Sequence, residues 1–123
     1  TRKGTIRGLH YQTSPYGEAK IFKCVSGSFL HVFVDMRKQS GNFLKFGQVI
    51  LTSKEARMLH VPAGIAHGMQ SLEDYSESIY FSSEGHNPEF ERLVHYADPR
   101  LNINWPLKDV IVSDKDKNAP FII

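Results

Sequence analysis

Helical periodicity is almost absent from this chain. Alternating or short apolar runs recur instead, roughly every 8 to 12 residues, cut by Gly, Pro, Asn and Asp. That rhythm predicts antiparallel β-structure. Strands are expected at Thr5 to Gln12, Ala19 to Val25, Ser28 to Asp35, Leu44 to Leu51, Arg57 to Val61, Ala66 to Leu72 and Glu77 to Ser83. Thr13 to Gly17 and Gln39 to Asn42 read as loops, and Pro62-Ala63-Gly64 as a break before the sixth strand. Ser26-Gly27 lies between segments rich in β-branched and aromatic residues and predicts a hairpin. Ser53 to Ala56 fits one helical turn. After Glu84 the pattern loosens around Asn87-Pro88, Asp98-Pro99 and Trp105-Pro106 into a loop-rich tail, with room for a short helix after Pro106. Roughly seven strands without a long helix imply an all-β jelly-roll barrel, since two closed-up sheets cover both apolar faces and sheet edges.

At 123 residues one core is all the chain can build, so residues 1–123 are expected to form a single domain. A composition of 41% hydrophobic and 23% charged residues lies far from that of disordered chains. Fifteen Lys and Arg against thirteen Asp and Glu are scattered and leave +2, which is no electrostatic footprint for nucleic acid or membrane. No apolar run approaches the roughly 20 residues of a membrane span, and no leader pattern opens the chain. The single cysteine, Cys24, excludes an internal disulfide and fits a reducing compartment, so the cytoplasm is the expectation. The chain opens at Thr1 without Met and its first strand is under way by Thr5, which suggests a trimmed start.

Six histidines make imidazole chemistry the first thing to weigh. In Arg7-Gly8-Leu9-His10-Tyr11-Gln12, strict alternation puts Gly8, His10 and Gln12 on one face and Arg7, Leu9 and Tyr11 on the other. A face of Gly, His and Gln suits a polar cavity better than a core, although a His satisfied by a backbone carbonyl at a barrel rim fits equally well. His67 follows a Pro/Gly break in Pro62-Ala63-Gly64-Ile65-Ala66-His67-Gly68, which can deliver it into a barrel lumen. Lys20 taken alone is a solvated charge at a strand end, Tyr80 between Ile79 and Phe81 a core aromatic, and Asp98 before Pro99 a turn former. His31 and His60 sit in strands of undecided facing, and His86 and His95 in the solvated tail.

In order and spacing, Arg7-Gly8-Leu9-His10-Tyr11-Gln12, Glu18-Ala19-Lys20, Val34-Asp35-Met36-Arg37, Pro62 to Gly68, Tyr80, Asp98-Pro99 and Ile103-Asn104-Trp105-Pro106 resemble the dTDP-4-dehydrorhamnose 3,5-epimerase family, over nearly the whole chain. The resemblance implies a cupin-type jelly roll, usually a homodimer. It further implies inversion of carbons beside the 4-keto group of a nucleotide-linked 4-keto-6-deoxysugar, with no cofactor and no metal. His10 would be the base, Asp98 its partner, Tyr80 the acid and Lys20 the clamp on the enolate. Arg7, His67 and Gln12 would line the substrate site. The chain departs from the family pattern in having Gly85-His86 where an aromatic pair is common, Met69 where Phe is usual and His31 where Asp is usual. Family members also carry some tens of residues upstream of this start. A metal-dependent small cupin is the alternative from another class, but its His-x-His pair and early Glu are missing. A non-catalytic sugar-binding jelly roll is a third reading, and it would not need a matched acid and base.

Overall fold

The computed structural model describes residues 1–122. Nine strands run in the order β1 (Thr5–Gln12), β2 (Lys20–Ser26), β3 (Ser28–Asp35), β4 (Phe46–Thr52), β5 (Leu59–Val61), β6 (Ile65–Ser71), β7 (Glu77–Ser82), β8 (Glu91–Leu93) and β9 (Ile111–Val112). A single 3-10 turn at Pro88–Phe90 and one short helix, α1 (Asp114–Lys117), complete the described elements. The seven expected strands are all present, and β8 and β9 add short pieces from the tail. Ser53 and Lys54 form a hydrogen-bonded turn rather than a helical one.

The strands form two sheets, one ordered β4-β3-β6-β1-β8 with β9 alongside β1, the other β5-β2-β7. All pairings are antiparallel except β1 with β9. The result is the all-β jelly roll that the strand rhythm implies. The hairpin expected at Ser26-Gly27 does not form, because β2 pairs with β5 and β7 whereas β3 pairs with β4 and β6. That turn instead carries the chain from one sheet to the other. Gly27 has φ +71, and a Cβ there would overlap Ser76 Oγ. Ser76 Oγ in turn meets Ser28 N at 3.2 Å and Glu73 O at 2.9 Å, so this crossing is tied to the crossing from β6 to β7.

Both faces of the larger sheet are covered. On one, Ile6, Leu9, Leu30, Val32, Val34 and Ala66 pack under Val94, Leu101 and Trp105 of the tail. On the other, Phe29 and Leu51 meet Phe22, Cys24 and Val61 of the smaller sheet. The alternation of β3 therefore serves two interiors, and its eight residues are almost all buried. Among the described residues no helix is long and apolar enough to cross a membrane.

Candidate functional site

Beside the apolar cluster between the sheets lies a cavity of about 280 Å³ lined by Arg7, His10, Lys20, His67, Met69 and Tyr80, among others. Strict alternation places Arg7 and His10 on opposite faces of β1; the structure turns both to this cavity. The reason is a register shift between them: Arg7 pairs with Met69 and His10 with His67, so Gly8 and Leu9 on β1 stand against Gly68 alone on β6. Gly8 and Leu9 lie within that irregularity, and Leu9 turns into the core under the tail. Only glycine fits at position 8, where φ is +118 and a Cβ would come within 2.6 Å of Gly68 Cα and His67 O.

His10 Nε2 lies 2.6 Å from Asp116 Oδ1, while Gly8 N donates to Asp116 Oδ2 at 3.1 Å. Asp116 reaches this place because β9 runs parallel to the start of β1 and leads directly into α1. The Ser113 side chain caps that helix by accepting from Asp116 N. Burial alone would raise the Asp116 carboxyl. The hydrogen bonds from His10 and Gly8 and the charges of His10 and Lys115 outweigh it and hold the carboxyl below its usual range. An ionised carboxylate at Nε2 fixes the proton there, leaving the Nδ1 lone pair of His10 as the basic atom.

Asp98 is not the partner of His10, contrary to the expectation from the resemblance. It is 1% exposed and spent on the tail: Oδ1 accepts from Arg100 N at 2.8 Å, Oδ2 accepts from Ile122 N, and its carbonyl accepts from Leu101 N and Asn102 N. The turn-former reading of Asp98-Pro99 describes it. Asp116 is the residue that sequence reasoning missed, since Asp114-Lys115-Asp116-Lys117 reads as a solvated charge run. The Ser-x-x-Asp spacing from Ser113, a helix-start pattern, was the available signal.

Gln12 lies beside the site rather than in the first cavity. It is buried beside a second hollow of about 300 Å³ that shares His10, Lys20 and Tyr80 with the first. Its amide is occupied, however, donating to Tyr16 O and Gly85 O and accepting from Asn87 N. Its visible work is to hold the loops around the mouth.

Lys20 stands at the head of β2 with its side chain mostly covered, 3.3 Å from Glu18 Oε1 and 5.4 Å from the centroid of the Tyr80 ring. It is not the free strand-end charge that its position alone suggests. Tyr80 is 57% exposed rather than core, because β7 is an edge strand whose inner side opens on the cavity. His67 stacks on Phe22 with ring centroids 4.1 Å apart and contacts His31 through Nε2 at 2.9 Å. Arg7 forms no ion pair among the described residues, which leaves its guanidinium available for an anion at the cavity. At the rim of the second hollow His86 bonds Glu91 Oε2 at 3.1 Å, and Lys115 bonds Glu91 Oε1 at 2.6 Å.

The two walls differ in chemistry. The larger sheet contributes an imidazole backed by a carboxylate, and the smaller sheet contributes an ammonium and a phenol. Such an arrangement can take a proton from one side of a small molecule, neutralise the charge that results and supply a proton from the other side.

Two antiparallel sheets closed over a polar cavity are a jelly roll of the cupin class. The chain belongs to the dTDP-4-dehydrorhamnose 3,5-epimerase family, whose sequence profile matches residues 1–122. It is 40% identical over 117 residues to the dTDP-4-dehydrorhamnose 3,5-epimerase of Shigella flexneri, covering 95% of this chain and 65% of that protein. It therefore spans just under two thirds of that relative's length. Its fold is similar to the crystal structure of the Bacillus anthracis enzyme of the same name with TDP and PPi bound, with a TM-score of 0.96 and 36% identity over 98% of this chain and 69% of that one. The Legionella pneumophila dTDP-6-deoxy-D-glucose-3,5-epimerase in complex with dTDP-4-keto-L-rhamnose gives 0.93 and 37%, covering 98% and 64%.

Proposed function

We propose that this protein is an isomerase that inverts one or both carbons flanking the 4-keto group of a nucleotide-linked 4-keto-6-deoxysugar. The observation that carries the reading is the His10–Asp116 pair on one wall of the cavity, with Lys20 and Tyr80 on the other. The names and bound molecules of the similar structures supply the substrate class. Hydrogen beside a ketone is weakly acidic. His10 Nδ1 removes it, the two electrons of the C–H bond pass to the ketone oxygen, and Asp116 stabilises the imidazolium. The Lys20 ammonium meets the enolate charge, and Tyr80 returns a proton to the same carbon from the other face, inverting it. Arg7 suits the diphosphate. His67 faces the sugar.

Among the described residues no group of three or more His, Cys, Asp or Glu is gathered in a way that could hold a metal ion. A purely sugar-binding role would not require a carboxylate-backed imidazole facing a phenol. We further read the protein as a homodimer. Ile21, Ile79 and Phe81 are exposed on the outer side of the smaller sheet, and β7 is one of its two edge strands among the described residues. Sedimentation showing only monomer at micromolar concentration would overturn that. The buried, unpaired Cys24 supports a cytoplasmic setting.

The test is solvent deuterium incorporation into 4-keto-6-deoxy nucleotide sugars, read position by position. Wild type should place deuterium at each carbon it inverts. Tyr80→Phe should still exchange at those carbons, with retention, because the enolate can take its proton back from His10. Normal inversion by Tyr80→Phe would remove Tyr80 from the mechanism, and absence of exchange in the wild-type protein would remove the reading itself.

A further inference from the structure

His31 lies at the middle of β3 and is fully buried. Its Nδ1 is 2.9 Å from His67 Nε2, and its own Nε2 is sealed from solvent with no hydrogen-bond partner among the described residues. Buried polar atoms are nearly always paired, so an orphaned ring nitrogen beside a cavity calls for an explanation. Phe22 and Phe29 flank the ring, with centroids 5.2 and 6.2 Å away, and offer it no acceptor.

Burial pushes the His31 imidazole down to about 4. Burial first, and then the charges of His31, Lys20 and His10, hold His67 well below its ordinary value. Both rings are therefore neutral near pH 7, and one proton lies between them. If His67 donates it, His31 must carry its own proton on the sealed Nε2, which makes a buried, unpaired N–H. If His31 donates it, the sealed atom is only an unused lone pair. Orphaned N–H groups are the rarer and costlier of the two. Arg7 and Lys20 pull the other way, since cations at the cavity favour a lone pair on His67 Nδ1. Arg7 is exposed, however, and Lys20 is paired with Glu18, so that pull is screened.

We infer that His31 is a positioning residue: its Nδ1–H donates to His67 Nε2 and fixes His67 as the neutral tautomer whose Nδ1–H is turned to the cavity. His67 lines that cavity, and its Nδ1 has no protein partner among the described residues. A neutral donor there can bond a substrate oxygen without adding a second permanent charge beside Lys20. An imidazolium in that place would make His10 a weaker base. The purpose given to His67 rests on the proposed epimerase reading, whereas the proton's position does not.

Nitrogen-15 NMR of the histidine side chains in the intact, unliganded protein tests the assignment directly. His67 should show a protonated Nδ1 and a bare Nε2, unchanged across neutral pH. His31→Asn, whose amide can still donate, should preserve that spectrum and keep kcat within about threefold of wild type. His31→Asp, which can only accept when ionised, should move the proton to His67 Nε2. His31→Leu, where no donor remains, should lower kcat about tenfold with little change in KM, since the lost bond matters most where charge develops. A protonated Nε2 on His67 in the wild-type protein would overturn the inference whatever the activity. The expected spectrum in a protein that fails to exchange deuterium would leave the tautomer assignment standing and remove the catalytic reading alone.

Discussion

The two faces of the larger sheet are made by the same strands and do opposite things. On β3, Leu30, Val32 and Val34 enter the hydrocarbon layer under the tail, while Phe29 and His31 face the other sheet. On β6, Ala66 joins the first layer and His67 the second. The tail-covered face is closed with aliphatic side chains and Trp105, whose Nε1 donates to Tyr96 O at 2.8 Å. The inner face buries imidazoles next to Lys20 and, among the described residues, leaves one ring nitrogen without a partner. One face therefore supplies stability, and the other accepts a loss of it around the proposed site. This division lets a small β-fold hold a polar cavity without loosening its core.

The largest effect should come from the inner face and should be confined to rate. His10→Ala removes the proposed base while leaving the apolar layer under the tail untouched. Epimerisation and deuterium exchange should both fall about a thousandfold or more, with the thermal midpoint little changed. A residual rate within tenfold of wild type would place the base elsewhere. Equal loss of stability would mean that the two faces are not separable in this way.

Acid should expose the energetic weakness of the inner face. The folded-state value of His31 lies near 4 and that of His67 is also depressed, against about 6.5 for an unfolded imidazole. Between those values the unfolded chain binds protons that the folded protein refuses. Stability is thus fully present above about 6.5 and drains away as pH falls toward 4. The cost reaches about 3 kcal/mol for His31. Asp116, with its depressed carboxyl, adds a further loss at still lower pH. Denaturant midpoints across this range should fall in wild type and fall less in His31→Asn; a flat profile would show that the imidazoles are not held neutral.

The tail-covered face should show the converse. Leu9→Ala deletes a fully buried side chain from that layer and should lower stability by about 3 kcal/mol. The pH optimum of the folded enzyme should stay in place. Leu9 adjoins His10, and a moved pH profile would show that the bulge transmits packing changes into the site.

Much of this was legible from the residues. Period-two patterning locates the main strands because most of them bury residues on at least one face, although β7 is exposed along almost all of its length. It does not say which sheet a strand joins, so Ser26-Gly27 looks like a hairpin although Gly27 is needed for a crossing against Ser76. It also cannot register an extra residue, which is why Arg7 and His10 appear on opposite faces. His10, Lys20, His67 and Tyr80 do converge on one cavity, and the motifs that carry them are local to each strand. The carboxylate behind His10 is different, because it comes from 106 residues away on a helix of four residues, where nothing local marks burial.

That carboxylate gives the finest test of the comparison, because Asp98 and Asp116 are both buried acids in the tail with separate duties. Asp98 holds backbone N–H groups of Arg100 and Ile122 and belongs with the stabilising side. Asp98→Asn keeps one acceptor oxygen and turns an NH2 toward the other amide, so one hydrogen bond is lost. Stability should drop by about 1 kcal/mol, and kcat of the folded protein should be unaffected. Asp116→Asn should do the reverse, lowering kcat about a hundredfold by freeing the His10 tautomer while costing little in thermal midpoint. Measuring kcat and midpoint on both variants gives a crossed pattern if the assignment is right. If Asp98→Asn lost the rate and Asp116→Asn kept it, the carboxylate serving His10 during catalysis would be Asp98, and the tail would have to rearrange on binding substrate to bring it there.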